Sequence, residues 1–193
     1  MPYDIHDHCH RLAAWAASSS ASASPLCRFK VETGMAILEA CGFDSKFTVD
    51  NLPEPDKLND QHKNWREKVI GEAKKHKQAQ KKAGKASQHK DLAFTHGIAA
   101  KLINCYLKVR FVCGGYQDKV KVKCLHPPID EVLLKELAKA NFGGHKKEWS
   151  EFRQKRWSKF NSKTYQGVID LIQQSLPENE PLWKIEEHWG GHQ

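Results

Sequence analysis

The chain holds no apolar run of the ~18 residues that a membrane-crossing helix needs, so nothing in it is expected to span a bilayer. Its six cysteines, at 9, 27, 41, 105, 113 and 124, never stand as Cys-x-x-Cys. They never gather as the group of four that an iron–sulfur cluster wants. Cys41 and Cys105 fall on apolar positions of apparent helices, and the set reads as reduced, mostly buried thiols of an intracellular, cytoplasmic protein. The opening residues Met1-Pro-Tyr-Asp-Ile-His-Asp-His8 bring acids and histidines where a secretory leader brings bases and an apolar stretch, so no leader is expected. Four metal-ligand types, His6, His8, Cys9 and His10, crowd into five residues with no distant His or Cys pair to complete a tetrahedral site. No metal and no other cofactor is therefore expected, and this stretch reads as a solvent-facing N-terminal segment. Internal repeats are also lacking.

What is present is a folding chain with an excess of positive charge. Its 193 residues are 39% hydrophobic and include six Trp, which suits one domain over residues 1–193 with one sizeable core. The formal net charge is +8 and the isoelectric point about 9.1, a balance that points to a polyanionic partner. From Lys63 to Lys90 the ten bases at 63, 66, 68, 74, 75, 77, 81, 82, 85 and 90 face only Glu67 and Glu72, which reads as a phosphate-contacting arm.

Periodicity predicts helices over His10–Ser18, over Val31–Ala40 with Gly42 as its stop, and from near Asp56 through Trp65 and Ile70. Further helices are predicted over Phe94–Cys113, Glu131–Ala140, Trp149–Lys159 and Ser162–Ser175. The serine run Ser18–Pro25 reads as a loop, and Lys119–Leu125 alternates Lys with Val as a short strand or extended loop does. The aromatic tail from Pro181 to Trp189 is expected to pack back on the body.

Two short stretches carry the candidate chemistry. Thr95-His-Gly-Ile-Ala-Ala-Lys101 opens the main helix, and Pro127-Pro-Ile-Asp130 opens the next, with Asp130 following Lys101 by 29 residues. Asp130 is also a natural N-cap for the helix beginning at Glu131; one oxygen can cap while the other serves elsewhere.

The order Gly97…Lys101…Pro128-Ile129-Asp130 resembles the helix-hairpin-helix/GPD superfamily of DNA glycosylases, whose 8-oxoguanine branch has a comparable spacing. Ala99 stands where that family's hairpin has its second glycine, and Thr95-His96 where it has Leu-Pro. The resemblance covers about residues 95–137. It implies an all-α glycosylase-like fold with a cleft between two helical lobes, acting as a monomer on duplex DNA with a flipped base. It further implies catalysis by Lys101 and Asp130, with DNA contacts from His96, Gly97 and Lys108; the bases Arg153, Arg156 and Lys159, beyond its reach, are expected to contact DNA on the strength of the basic charge.

The chemistry matches these residue types. N-glycosidic cleavage passes through an oxocarbenium-like sugar that a carboxylate stabilises. A neutral lysine amine can attack the anomeric carbon, forming a Schiff base that permits strand cleavage. The flipped base needs a pocket of aromatic rings, for which Trp15, Phe29, Trp65, Phe94 and Trp157 are candidates. Two other readings stay open: a glycosylase for hypermodified phage bases, serving antiviral defence, and a nucleic-acid-binding module without catalysis.

Overall fold

Capping chemistry fixes most helix boundaries in the computed structural model, which describes residues 3–24, 27–82 and 93–191, with the backbone alone for 80–82. The helices are α1 (Ile5–Ala21), α2 (Val31–Ala40), α3 (Leu58–Lys82), α4 (His96–Leu107), α5 (Val120–Lys123), α6 (Glu131–Lys139), α7 (Lys146–Lys155) and α8 (Ser162–Ser175). A π-helical stretch, Lys108–Tyr116, continues α4, and 3₁₀ turns occupy Trp157–Lys159 and Leu182–His188. No strand occurs among the described residues, so the fold is all-α.

The organising element is α4, in which every residue from Gly97 to Leu107 is buried. A helix buried all round, and apolar but for Lys101 and Asn104, belongs in the middle of a protein. Here α4 packs against α1, α3, α8 and the 157–159 turn. On one side, α1 presents Ala13, Ala14, Ala17 and Ala21, all with no exposed surface, and these small residues let the two helices approach closely. That side holds one apolar cluster, running from α1 through α2, α3 and α4 to Val122 and Leu125. A second cluster joins Ala100 of α4 to Ile129, α6, α8, Trp149, Leu182 and Ile185. The tail thus packs back on the body, with Leu182 and Ile185 buried.

Three local expectations change. The first helix starts at Ile5, because the Asp4 carboxylate accepts the His6 and Asp7 N–H groups at 2.8 and 2.9 Å. It also runs through the serine run to Ala21: Ser18 is buried and turns its hydroxyl back to the Ala14 carbonyl at 2.6 Å. Pro25, within the expected loop, lies outside the described residues. The second change is at the Lys/Val alternation, which forms one helical turn, α5, with Val122 buried and Val120 exposed. A strand needs a neighbour for its backbone, and no strand is there to offer one.

The third change concerns the basic run. It is helical to Lys82, while Lys85 and Lys90 lie outside the described residues. Arg66, counted above among phosphate contacts, has no exposed surface. It bonds His62 Nδ1 at 2.6 Å and lies over the Tyr165 ring at 4.3 Å.

Candidate functional site

The chain buries a lysine in its central helix. Lys101 is 7% exposed, and a buried ammonium requires a partner. Its Nζ donates to Asp130 Oδ2 at 2.8 Å. Asp130 is presented by the Pro127-Pro128 turn as the N-cap of α6, where Oδ1 accepts the Leu133 N–H at 2.9 Å. Oδ2 accepts a second bond, from the Trp189 indole N–H at 3.0 Å. One carboxylate therefore ties α4, α6 and the C-terminal segment together.

The pair lines a cavity of about 140 Å³, whose walls include Ser20 of α1, Cys105 and Lys108, Pro128, and Glu186 and Trp189 of the tail. Lys108 forms an ion pair with Glu186 across it. Burial pulls Lys101 toward deprotonation, but Cys105 (once its thiol ionises at alkaline pH), the charge and hydrogen bond of Asp130, and Glu186 outweigh it and raise its pKa above the usual lysine value. The resting group is an ammonium. Burial raises Cys105 above the ordinary thiol value, so this sulfur stays protonated near neutrality. Burial also raises Glu186 above the usual carboxylate value, against the pull of Lys108 and Lys101.

The remaining sequence candidates scatter. Gly97 is buried, its N–H donates to Phe160 O at 3.2 Å, and the Trp157 carbonyl lies where a Cβ would stand. Its backbone is thus committed within the fold and not presented to a phosphate. His96 is half-buried, and Lys108 belongs to the cavity. Arg153 pairs with Glu131 at 2.6 Å, while Arg156 and Lys159 are exposed. Arg153, Arg156 and Trp157 line an open groove of about 740 Å³ with Glu131 and Ser150. Arg156 there holds a left-handed φ of 59°, a strained backbone for a non-glycine residue.

Of the five proposed pocket aromatics, Phe29, Trp65 and Phe94 are core residues. Phe29 packs on Phe94 at 5.1 Å between ring centroids, and Trp65 on Phe43 at 5.3 Å. Trp15 is 56% exposed on α1, and Trp157 lines the groove. None of the five lines the Lys101 cavity; the aromatic that does is Trp189, from a tail whose sequence signals only packing. Glu186 and Cys105 also escaped the sequence reading. Cys105 sits four residues after Lys101, one helical turn on, a spacing that could have flagged it.

The N-terminal cluster does not converge on one point. His10 is buried between the Tyr106 hydroxyl at 2.9 Å and Glu39 at 3.1 Å, while His8 bonds Tyr3. No group of three potential metal ligands forms among the described residues. Cys27, Cys41 and Cys105 are buried, while Cys9 and Cys113 are exposed where burial was the expectation for most.

No protein-family model, no curated protein and no solved structure matches the chain.

Proposed function

We propose that this protein is a DNA glycosylase that binds duplex DNA and releases a damaged or modified base at the Lys101–Asp130 pair. The observation that carries the reading is a buried lysine–carboxylate pair opening on a cavity with room for one planar heterocycle, in a chain of net charge +8. A flipped base enters such a pocket and stacks on an aromatic ring, here Trp189. Asp130 stabilises the positive charge that develops on the sugar. Two nucleophiles fit, the Lys101 amine or a water molecule. The helical halves on either side of α4 form the two lobes of the glycosylase-like cleft, and the groove at Arg153 and Arg156 receives phosphates.

The test is base release from a panel of duplexes, each carrying one modified base. The panel includes 8-oxoguanine, which the sequence resemblance favours, and hypermodified phage pyrimidines, which a defence role would favour. Release of one base, lost in Lys101→Gln and Asp130→Asn, supports the reading; binding without release from any duplex overturns it.

Binding itself is expected to weaken by orders of magnitude over a few-fold rise in salt, because several bases neutralise phosphates. An affinity that barely changes between low and physiological salt removes the DNA partner. One observation favours binding without catalysis: the Lys101 ammonium is held in a closed ion pair, as a structural lysine is. On that reading salt-sensitive binding occurs and no base is released.

A further inference from the structure

The Lys101 cavity holds two carboxylates, and their lone pairs are not equally occupied. Asp130 is nearly filled, with three of its roughly four lone-pair sites taken: Oδ1 takes the Leu133 N–H, and Oδ2 takes both Lys101 Nζ and the Trp189 indole N–H. Such a carboxylate stabilises positive charge well and accepts a further proton badly. Glu186 differs. Its Oε2 pairs with Lys108, and no hydrogen bond reaches Oε1 among the described residues. Lys101, meanwhile, is a poor nucleophile as it stands, because its lone pair carries a proton and the ammonium is locked to Asp130.

We propose that Glu186 is the general base of the reaction, activating a water molecule for attack on the sugar, and that Lys101 keeps its proton, serving as a fixed positive charge and not as a nucleophile. This rests on the glycosylase reading above. In the step, Glu186 Oε1 takes a proton from water as the water oxygen bonds to C1′ of the deoxyribose. The C1′–N bond breaks, its electron pair goes to the base, where the Lys101 ammonium stabilises it by charge, and the base takes a proton from solvent. The products are the free base and an abasic sugar bearing a hydroxyl at C1′; the proton on Glu186 is then lost to solvent, which balances the one the base took. Asp130 stays ionised throughout. The surroundings of Glu186 make it a stronger base than an exposed glutamate: burial raises it, the Lys108 and Lys101 charges lower it, and Asp130 raises it, with the net shift upward.

The experiment measures base release, borohydride trapping and duplex affinity for the full chain, on the modified-base panel. Glu186→Gln is expected to slow release by about 10² or more, the usual contribution of general acid–base catalysis. Duplex affinity is expected to hold near the parental value, and the variant is expected to stay folded, with a melting temperature lowered by loss of the Lys108 ion pair. The parental kcat/KM falls as pH drops through the raised Glu186 pKa, and Glu186→Gln lacks that limb. Glu186→Asp, with its carboxylate on a shorter stem, recovers part of the rate together with the limb. Neither borohydride trapping nor strand cleavage is expected. A covalent borohydride adduct with the parental protein, or full activity in Glu186→Gln, overturns the assignment while leaving the glycosylase intact. Tight duplex binding with no base released from any panel member overturns the glycosylase reading and this role with it.

Discussion

Asp130 shows how one side chain can be legible in sequence and still be underestimated. Its cap was readable from Pro-Pro-Ile-Asp before a helical run, and on that basis Asp130→Asn ought to be almost neutral for stability, since Asn also caps well. The Lys101 ammonium changes this expectation. Asn supplies no counter-charge, and a buried cation stripped of its partner destabilises a protein by several kcal/mol. Asp130→Asn is therefore expected to lower unfolding free energy by about 3 kcal/mol. Lys101→Gln loses less, because Asp130 keeps the Leu133 and Trp189 donors. Urea unfolding of both variants checks this; equal losses, or none, would mean the pair is not an energetic unit.

At the scale of elements, α4 is held by its N-terminal turn. Thr95 caps it by accepting the Ile98 N–H at 3.2 Å, and its hydroxyl donates to the Ser158 carbonyl at 2.8 Å. Gly97 lies against the Trp157 carbonyl with no space for a Cβ. The glycine that resembles a DNA-hairpin residue is thus explained by helix-to-turn packing. Gly97→Ala would push the 157–159 turn off α4, and is expected to destabilise by about 1–3 kcal/mol, as overpacked sites do. A thermal melt unchanged from the parent would show that the turn can yield. The same element scale explains the Lys/Val misreading at 119–125. Alternation specifies which faces side chains take only once a neighbouring strand exists, and the neighbour this segment packs against is the helical 108–116 stretch.

Across the whole molecule, the two apolar clusters meet beside a buried polar network. His62 bonds Asn104 at 2.7 Å and Arg66 at 2.6 Å, and His126 bonds Tyr165 at 3.1 Å and Asn59 at 3.0 Å. The two imidazoles lie 4.4 Å apart. Burial, with the charge of Arg66, depresses His126 to about 3, and burial with the His126 and Arg66 charges holds His62 well below its ordinary 6.5. Both are neutral in the fold and take a proton more readily when unfolded. The His126 contribution is complete above the unfolded value of about 6.5 and is lost as pH falls toward about 3, at about 1.4 kcal/mol for each unit of separation, and that of His62 is lost in the same direction. Denaturant midpoints are expected to drop steeply from pH 6.5 to 4, and the drop is expected to be shallower in His126→Gln. Identical slopes in the two proteins would place the acid sensitivity elsewhere.

The sequence by itself determined the helical class, the course of α2, α6 and α8, and the chemical character of Lys101 and Asp130. Each of these follows from local information: apolar spacing, a cap, and a lysine set in an otherwise apolar run. It could not determine what closes around the pair. Glu186 and Trp189 reach the cavity from a tail more than fifty residues beyond Asp130, and Ser20 from a helix far upstream. Whether a tryptophan fills a core, as Trp65 does, or faces solvent, as Trp15 does, depends on which neighbour covers it. Arg66 gives the sharpest contrast. Its sequence context is a basic run suited to phosphates, yet packing of α3 against α4, with Tyr165 over the guanidinium, buries it completely. Charge is written in the sequence, but burial belongs to the packed assembly of helices, because only there does a side chain acquire neighbours distant in the chain.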